Sequence, residues 1–351
     1  MVYILENILT YISGFYTLPW ILVGFIVTLL IAKVTGREKI DNIMKKIGLI
    51  LLYFFIPLLI FRVFLDLFEE SQIIFVIIVF AVIFLMYILA YFYGKYTIKK
   101  QDFKGEKKSL FLKTILTNQG RSSAFIGMMM MEYWPVAAGI MIALVGIVLF
   151  AILPYILSHM HKKEVKSKEN KTIKALPWYL RLYPWYLISF VIVAIVINIT
   201  TGVTIRGSGD LGVIIIFISA LTIPAALYYV GACIHPTDLK KSELKKLIGI
   251  DKNLKKSEHW PWVRKIFVLT VIITPIVITI LFLPLLLLNL IPQDWFAVII
   301  INSFLPITST NMFLLPYGID KKSTAHSITW TTIVCVPIVV LLIIIFGIYL
   351  V

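Results

Sequence analysis

The chain has 351 residues, 60% of them hydrophobic and 15% charged, with a mean hydropathy of +0.96. That balance exceeds what a water-soluble globular chain of this length tolerates, so lipid is the expected solvent. The net charge of +15 does not mark a nucleic-acid partner, because the basic residues are divided among short connections between apolar runs and form no single patch.

Taken in chain order, ten apolar runs approach the ~20 residues that a helix needs to cross ~30 Å of hydrocarbon. They fall near 17–35, 47–66, 72–94, 109–131, 134–158, 184–202, 211–235, 266–290, 295–317 and 327–350. Before the first, Val2, Leu5, Ile8, Leu9 and Ile12 extend the span or lie along the interface; the first twenty residues carry no Lys or Arg and no small-residue cleavage site, so a removed signal peptide is not expected. Arg62, near the outer end of span two, stands one helical turn before Asp66 and reads as half of a structural ion pair. Residues 159–174 are rich in Lys, Glu, Ser and Asn and read as a flexible linker. Trp178, Tyr179, Tyr183, Trp185 and Tyr186 read as an interfacial aromatic belt. Residues 238–248 set lysines around Leu244, Leu247 and Ile248, the pattern of a short amphipathic helix on the cytoplasmic surface in contact with anionic lipid. His235, Asp320 and His326 sit at cytoplasmic span ends, as solvated or capping groups. Cys233 and Cys335 both lie inside spans and read as small packing residues, which leaves neither a disulfide nor a metal site.

Of the 33 Lys and Arg residues, Arg206 alone falls in a connection after an even-numbered span, and Arg62, Lys113 and Arg121 fall within spans; the rest, counted from Lys33 in the last turn of span one, belong to the connections after spans one, three, five, seven and nine. By the positive-inside rule those connections are cytoplasmic, which places both termini outside a multi-pass cell-membrane protein. A missed or invented helix would have moved basic loops to alternating sides from that point onward.

Ten spans divide around the linker into 1–158, 159–183 and 184–351. Five is odd, so two homologous halves would enter the membrane from opposite sides, as in many secondary transporters. Pro57 in span two and Pro224 in span seven stand at corresponding places. Span four carries Thr117-Asn118-Gln119-Gly120-Arg121-Ser122-Ser123 in its middle, and span nine carries a polar stretch over 302–311. Interrupted backbone at that depth is tolerated only where protein or a water-filled cavity surrounds it.

Arg121 is the most informative residue of the chain. A guanidinium at mid-membrane costs at least ~2.5 kcal/mol to insert, and no Asp or Glu lies in the middle of any span. Facing a cavity, its planar fork suits a carboxylate or phosphate; the bland alternative is an Arg bonded to backbone carbonyls freed at the helix break. Asn118, Gln119, Gly120, Ser122 and Ser123 from the first half, and Pro306, Thr308, Ser309, Thr310 and Asn311 from the second, complete the candidate substrate site. No cofactor is called for. Hydroxyls bonded back to their own helix are the competing account of the Ser and Thr residues.

Four stretches together resemble the auxin efflux carrier family, which belongs with the bile acid, arsenite and riboflavin transporters: LPITSTNMFLLPYGIDKKSTAHSITWTTIVCVP at 305–337, LTIPAALYYVGACI at 221–234, IPLLIFRVF at 56–64 and NQGRSSAFIGMMMMEYWPVAAG at 118–139. The resemblance implies an all-α membrane protein of ten transmembrane helices in two inverted five-helix repeats, each with a scaffold and a transport portion. It further implies broken, crossing helices four and nine at the substrate site, a homodimer and an elevator-like movement. By the same resemblance Pro306 is the second-half crossover proline, and Asn118 and Asn311 are polar substrate contacts. Span four departs from the pattern: where the family has Gly-x-Pro this chain has Gly127-Met128-Met129, and Gly120 is expected to supply the break.

The resulting expectation is a secondary carrier of a small organic anion, exporting it without proton coupling, because no midplane carboxylate or His offers a proton carrier. A sodium-coupled organic anion importer is the alternative, disfavoured by the fixed charge of Arg121. A ligand-binding membrane sensor is the alternative of another class. An enzyme is not expected, since no nucleophile-and-base pair or metal-ligand spacing occurs.

Overall fold

Among the described residues 87% are helical and no β-strand occurs, which places the chain in the all-α class. The computed structural model describes residues 17, 19–67, 72–123, 126–165, 178–205, 207–234, 240–250 and 259–349. The stretch from Val2 to Ile12, residues 166–177 of the expected linker, Arg206 and His235 lie outside them.

In chain order the helices are α1 Pro19–Thr35, α2 Arg37–Ile50, α3 Ile56–Leu67, α4 Gln72–Lys100, α5 Gly105–Thr117, α6 Pro135–Ile147, α7 Leu153–Val165, α8 Trp178–Thr201, α9 Gly209–Ala220, α10 Thr222–Ala232, α11 Lys241–Ile248, α12 His259–Phe267, α13 Thr274–Leu287, α14 Gln293–Phe304 and α15 Lys321–Tyr349. Several run into one another, and among the described residues six continuous segments are long and apolar enough to cross a membrane: Arg37–Asp66, Gln72–Lys100, Pro135–Met160, Gly209–Ala232, His259–Leu287 and Lys321–Tyr349. Pro19–Thr35 and Trp185–Thr201 are shorter apolar helices, at the places of spans one and six. Spans four and nine are interrupted. Each continues past its break as a 3-10 helix, Ile126–Glu132 in one and Ser309–Tyr317 in the other. At seven and nine residues, both exceed the three or four over which that tight geometry is usually sustained.

Proline explains where the long helices loosen. Wide π-turns occupy Leu51–Phe55, Val148–Ile152 and Val268–Ile273, and Pro57, Pro154 and Pro275 each stand two residues beyond one of them. The proline ring has no N–H and clashes with the carbonyl four residues back, so the preceding turn opens. In all three the residue before the proline bonds five residues back: Ile56 N to Leu51 O, Leu153 N to Val148 O, Thr274 N to Leu269 O. Pro224 has a related effect, since α9 and α10 meet at Leu221, three residues before it.

The chain forms two compact units, and both draw on the two halves of the sequence. The first gathers Met1–Val76, Ala124–Ala143 and Trp185–Ile234. Within it α1 and α10 pack backbone to backbone: a Cβ on Gly24 would strike the carbonyl of Tyr228, and one on Gly231 the carbonyl of Ile21. Such close approach is how helices bind one another in lipid, where burying apolar surface gives no advantage. Polar bonds add to it. Arg37 Nη2 donates to Ala232 O (2.8 Å), Asn198 Nδ2 to Leu65 O (2.7 Å) and Thr222 Oγ1 to Phe55 O (3.2 Å). Arg62 Nη1 donates to Ser219 Oγ (3.1 Å), and Asp66 Oδ1 accepts from Ile205 N (2.6 Å), so both residues of the expected ion pair reach across to the other half of the sequence. Tyr186 Oη donates to Tyr53 O, the carbonyl four residues before Pro57 (2.8 Å). The aromatic belt is therefore divided: Trp178 and Trp185 are exposed, whereas Tyr186 serves a helix break and Tyr183, in the second unit, is buried against Phe150.

The second unit gathers Ile77–Ser123, Leu144–Pro184 and His235–Val351. Helix α7 carries on to Val165, seven residues into the stretch expected to be linker. Helix α15, the π-turn Val268–Ile273 and α14, itself the first part of interrupted span nine, supply most of the partners described next.

Candidate functional site

All eleven residues singled out by sequence lie in the second unit, at the two breaks. In span nine the break follows from Pro306, because the residue before a proline is driven out of helical geometry. Leu305 accordingly takes φ −58°, ψ 143°, and α14 stops at Phe304. In span four no proline is present, and α5 ends at Thr117 by closing on itself. Asn118 N and Asn118 Nδ2 both donate to Thr114 O (3.1 and 2.8 Å), while Gln119 N and Gly120 N bond three residues back.

The two opened strands then satisfy each other. Arg121 and Ile307 form an antiparallel bridge, in which Ser122 N donates to Pro306 O (2.9 Å) and Thr308 N to Gly120 O (3.0 Å). Ile307 N is taken by Thr331 Oγ1 of α15 (3.2 Å). Backbone groups that lipid leaves unsatisfied are thus paired inside the protein. Gly120 is needed here for proximity. It is not among the glycines with left-handed backbone, but a Cβ on it would lie 2.5 Å from Asn311 Oδ1 and 2.9 Å from Leu149 Cδ1. The expected role of Gly120 as helix breaker gives way to this one.

Arg121 is 2% exposed. Its Nη1 donates to Leu305 O (3.2 Å), the carbonyl freed by Pro306, and its Nη2 to Thr270 O (3.3 Å). Thr270 O is available because its usual donor, Thr274 N, bonds Leu269 instead and the next residue is Pro275. Two prolines therefore prepare the two carbonyls that hold the guanidinium, the arrangement weighed above as the bland alternative. Carbonyl dipoles offset part of its desolvation but leave its net charge, and among the described residues no carboxylate pairs with it. Among the described residues Nε has no partner.

Around this charge lie polar side chains that are buried yet unbonded. Asn118, Gln119 and Asn311 are at most 1% exposed, and among the described residues Gln119 Nε2 and Oε1, Asn311 Nδ2 and Oδ1, Asn118 Oδ1, Thr117 Oγ1 and Ser309 Oγ lack partners. Native interiors rarely leave such groups unsatisfied, at a cost of about 1–3 kcal/mol each. The other candidates are engaged. Ser123 Oγ donates to Asn302 Oδ1 (2.7 Å), and Thr308 and Thr310 share a hydrogen bond (2.9 Å). Ser122 and Pro306 contribute backbone.

Partners that sequence reading missed come mainly from α15: Thr324 Oγ1 accepts from Asn118 Nδ2 (3.3 Å), and Thr331 from Ile307. Thr324, Ser327 and Thr331 are all buried at helical spacing, a polar stripe visible in the sequence of an otherwise apolar span. Thr114 Oγ1, which accepts from Asp320 N (2.9 Å), and Asn302 complete the frame.

No protein-family model matches the chain, and no curated protein matches it.

Proposed function

We propose that this chain is a secondary carrier of a small organic anion in the cell membrane, built of ten spans in two inverted five-helix repeats with both termini outside. The observation that carries the reading is the guanidinium of Arg121 buried beside unbonded carboxamides at two helix breaks. A fixed positive charge with no acid partner selects anions, and the Gln119 and Asn311 amides and Arg121 Nε offer donors to a carboxylate without disturbing existing bonds. The matching 3-10 continuations and breaks in spans four and nine support the repeat, as do two compact units that each draw on both halves.

With the arginine closed off from solvent, the arrangement corresponds to an occluded state; a carrier opens it to either side by moving the unit that holds the breaks. With no titratable acid or histidine among the site residues, gradient and potential drive transport. An inside-negative potential favours anion exit by ~2.3 kcal/mol per charge per 100 mV.

The test is a thermal-shift screen of the purified protein against organic anions, in sodium and in choline salts. A stabilising anion is expected, independent of sodium. Gln119→Ala removes no side-chain hydrogen bond found among the described residues, so it should leave the unliganded melting temperature near wild type while weakening the anion's shift, and Arg121→Ala should abolish the shift. Anion stabilisation unchanged in both variants would remove the breaks from the site, and a strict sodium requirement would favour the coupled importer.

A further inference from the structure

The cytoplasmic-side helix α11 carries a second chemistry, unrelated to the breaks. Leu247, 9% exposed, packs with Trp260 and Val263 of α12 and Trp330 of α15, so α11 is pinned to the ends of two candidate membrane-crossing segments. Beside that buried edge, Leu244 and Ile248 share a stripe at i, i+4 and stand 39% and 60% exposed; Ile250 follows at 68%. One step further round lie Lys241 and Lys245, also i, i+4. On the opposite flank Lys246 Nζ is tied to Glu243 Oε1 (2.7 Å). Among the described residues no carboxylate neutralises Lys241 or Lys245, and like charges at that spacing destabilise a helix.

An eight-residue helix this short does not persist in water by propensity, and exposed leucine and isoleucine next to unneutralised lysines have one environment that suits both. We infer that α11 docks on the anionic headgroup layer of the bilayer, with Leu244 and Ile248 at the acyl boundary and Lys241 and Lys245 on lipid phosphates. The surface complements that partner in charge and in order: buried anchor, apolar stripe, lysine stripe. It also joins the lipid surface to the helices that hold the breaks, since α15 supplies Thr324 and Thr331 and α12 leads into the turn that presents Thr270 O.

To test it, Ile248→Cys is labelled with bimane in the full chain carrying Cys233→Ser and Cys335→Ser. The protein is reconstituted in vesicles of phosphatidylcholine and of equal parts phosphatidylcholine and phosphatidylglycerol, with a spin label on the lipid near the headgroup. Lipid-borne quenching is expected in both, stronger with phosphatidylglycerol, and the difference should disappear at high salt. Lys241→Glu with Lys245→Glu should cut the preference for phosphatidylglycerol roughly fivefold per lysine. These side chains are exposed, so thermal stability in detergent should stay at the wild-type value. Quenching by iodide from the aqueous phase alone, quenching indifferent to headgroup charge, or a preference that survives both reversals would each overturn the assignment.

Discussion

Arg121 shows how a buried charge is held without an acid. Its two terminal nitrogens rest on carbonyls that Pro306 and Pro275 have released, and the adjacent Gly120 leaves room for Asn311. Gly120→Ala places a methyl against Asn311 Oδ1, at the ~1–3 kcal/mol typical of overpacking. Because the obstructing atoms are side-chain ends, Gly120→Ala with Asn311→Ala should recover part of the lost melting temperature, Leu149 retaining its share. Melting both singles and the double in detergent decides this, and a double no better than additive would show that the two residues do not meet. How the arginine is held was only partly legible in the sequence. Its depth and lack of an acid partner were visible, as were the polar residues flanking it. Which carbonyls receive it was not, because Thr270 lies about 150 positions away and only the fold brings it there. The helix break at Asn118 was expected from Gly120, yet its cause is a side-chain amide capping the last turn together with backbone pairing to 306–308.

At the scale of elements, proline decides where spans loosen and glycine decides where they touch. Pro275→Ala restores an N–H that can reclose the turn over Val268–Ile273, withdrawing Thr270 O from Arg121. The variant should therefore melt lower despite the gain in helix propensity, and pairing it with Arg121→Ala should cost less than the sum of the two singles. Gly231 meets backbone and not side chain, so Gly231→Val has no easy relief. A loss of at least ~3 kcal/mol, or failure to recover folded protein, is expected. Gly139→Ala serves as the control, since its nearest atoms are the side-chain ends of Val63, Met131 and Phe64, at 3.3 to 3.7 Å. Thermal unfolding in detergent separates the two; similar losses would contradict the backbone contact. Spans were legible because hydrophobic length is a local property. The two interrupted ones were marked by polarity alone, and nothing local distinguishes a 3-10 continuation from an α-helical one.

For the whole molecule, charge distribution and packing speak to different questions. Contacts gather the chain into two units, but they do not tell which side of the membrane each loop faces; for that the expectation rests on the lysines and arginines, since basic loops tend to stay on the cytoplasmic side. Under that rule Lys104, exposed between α4 and α5, faces the cytoplasm, and Ser208, exposed before α9, faces outward. Single cysteines at these positions, in the chain carrying Cys233→Ser and Cys335→Ser, make the orientation measurable with a membrane-impermeant maleimide. Ser208→Cys should label in intact cells, and Lys104→Cys only after permeabilisation. The reverse pattern would turn the molecule over in the membrane and place both termini inside. Labelling of both in intact cells would instead mean that an even number of crossings separates the two loops, whereas the ten-span reading puts three, spans four to six, between them. Because an odd number of spans lies between these two positions, labelling from opposite sides is what halves of five spans entering the membrane from opposite sides require.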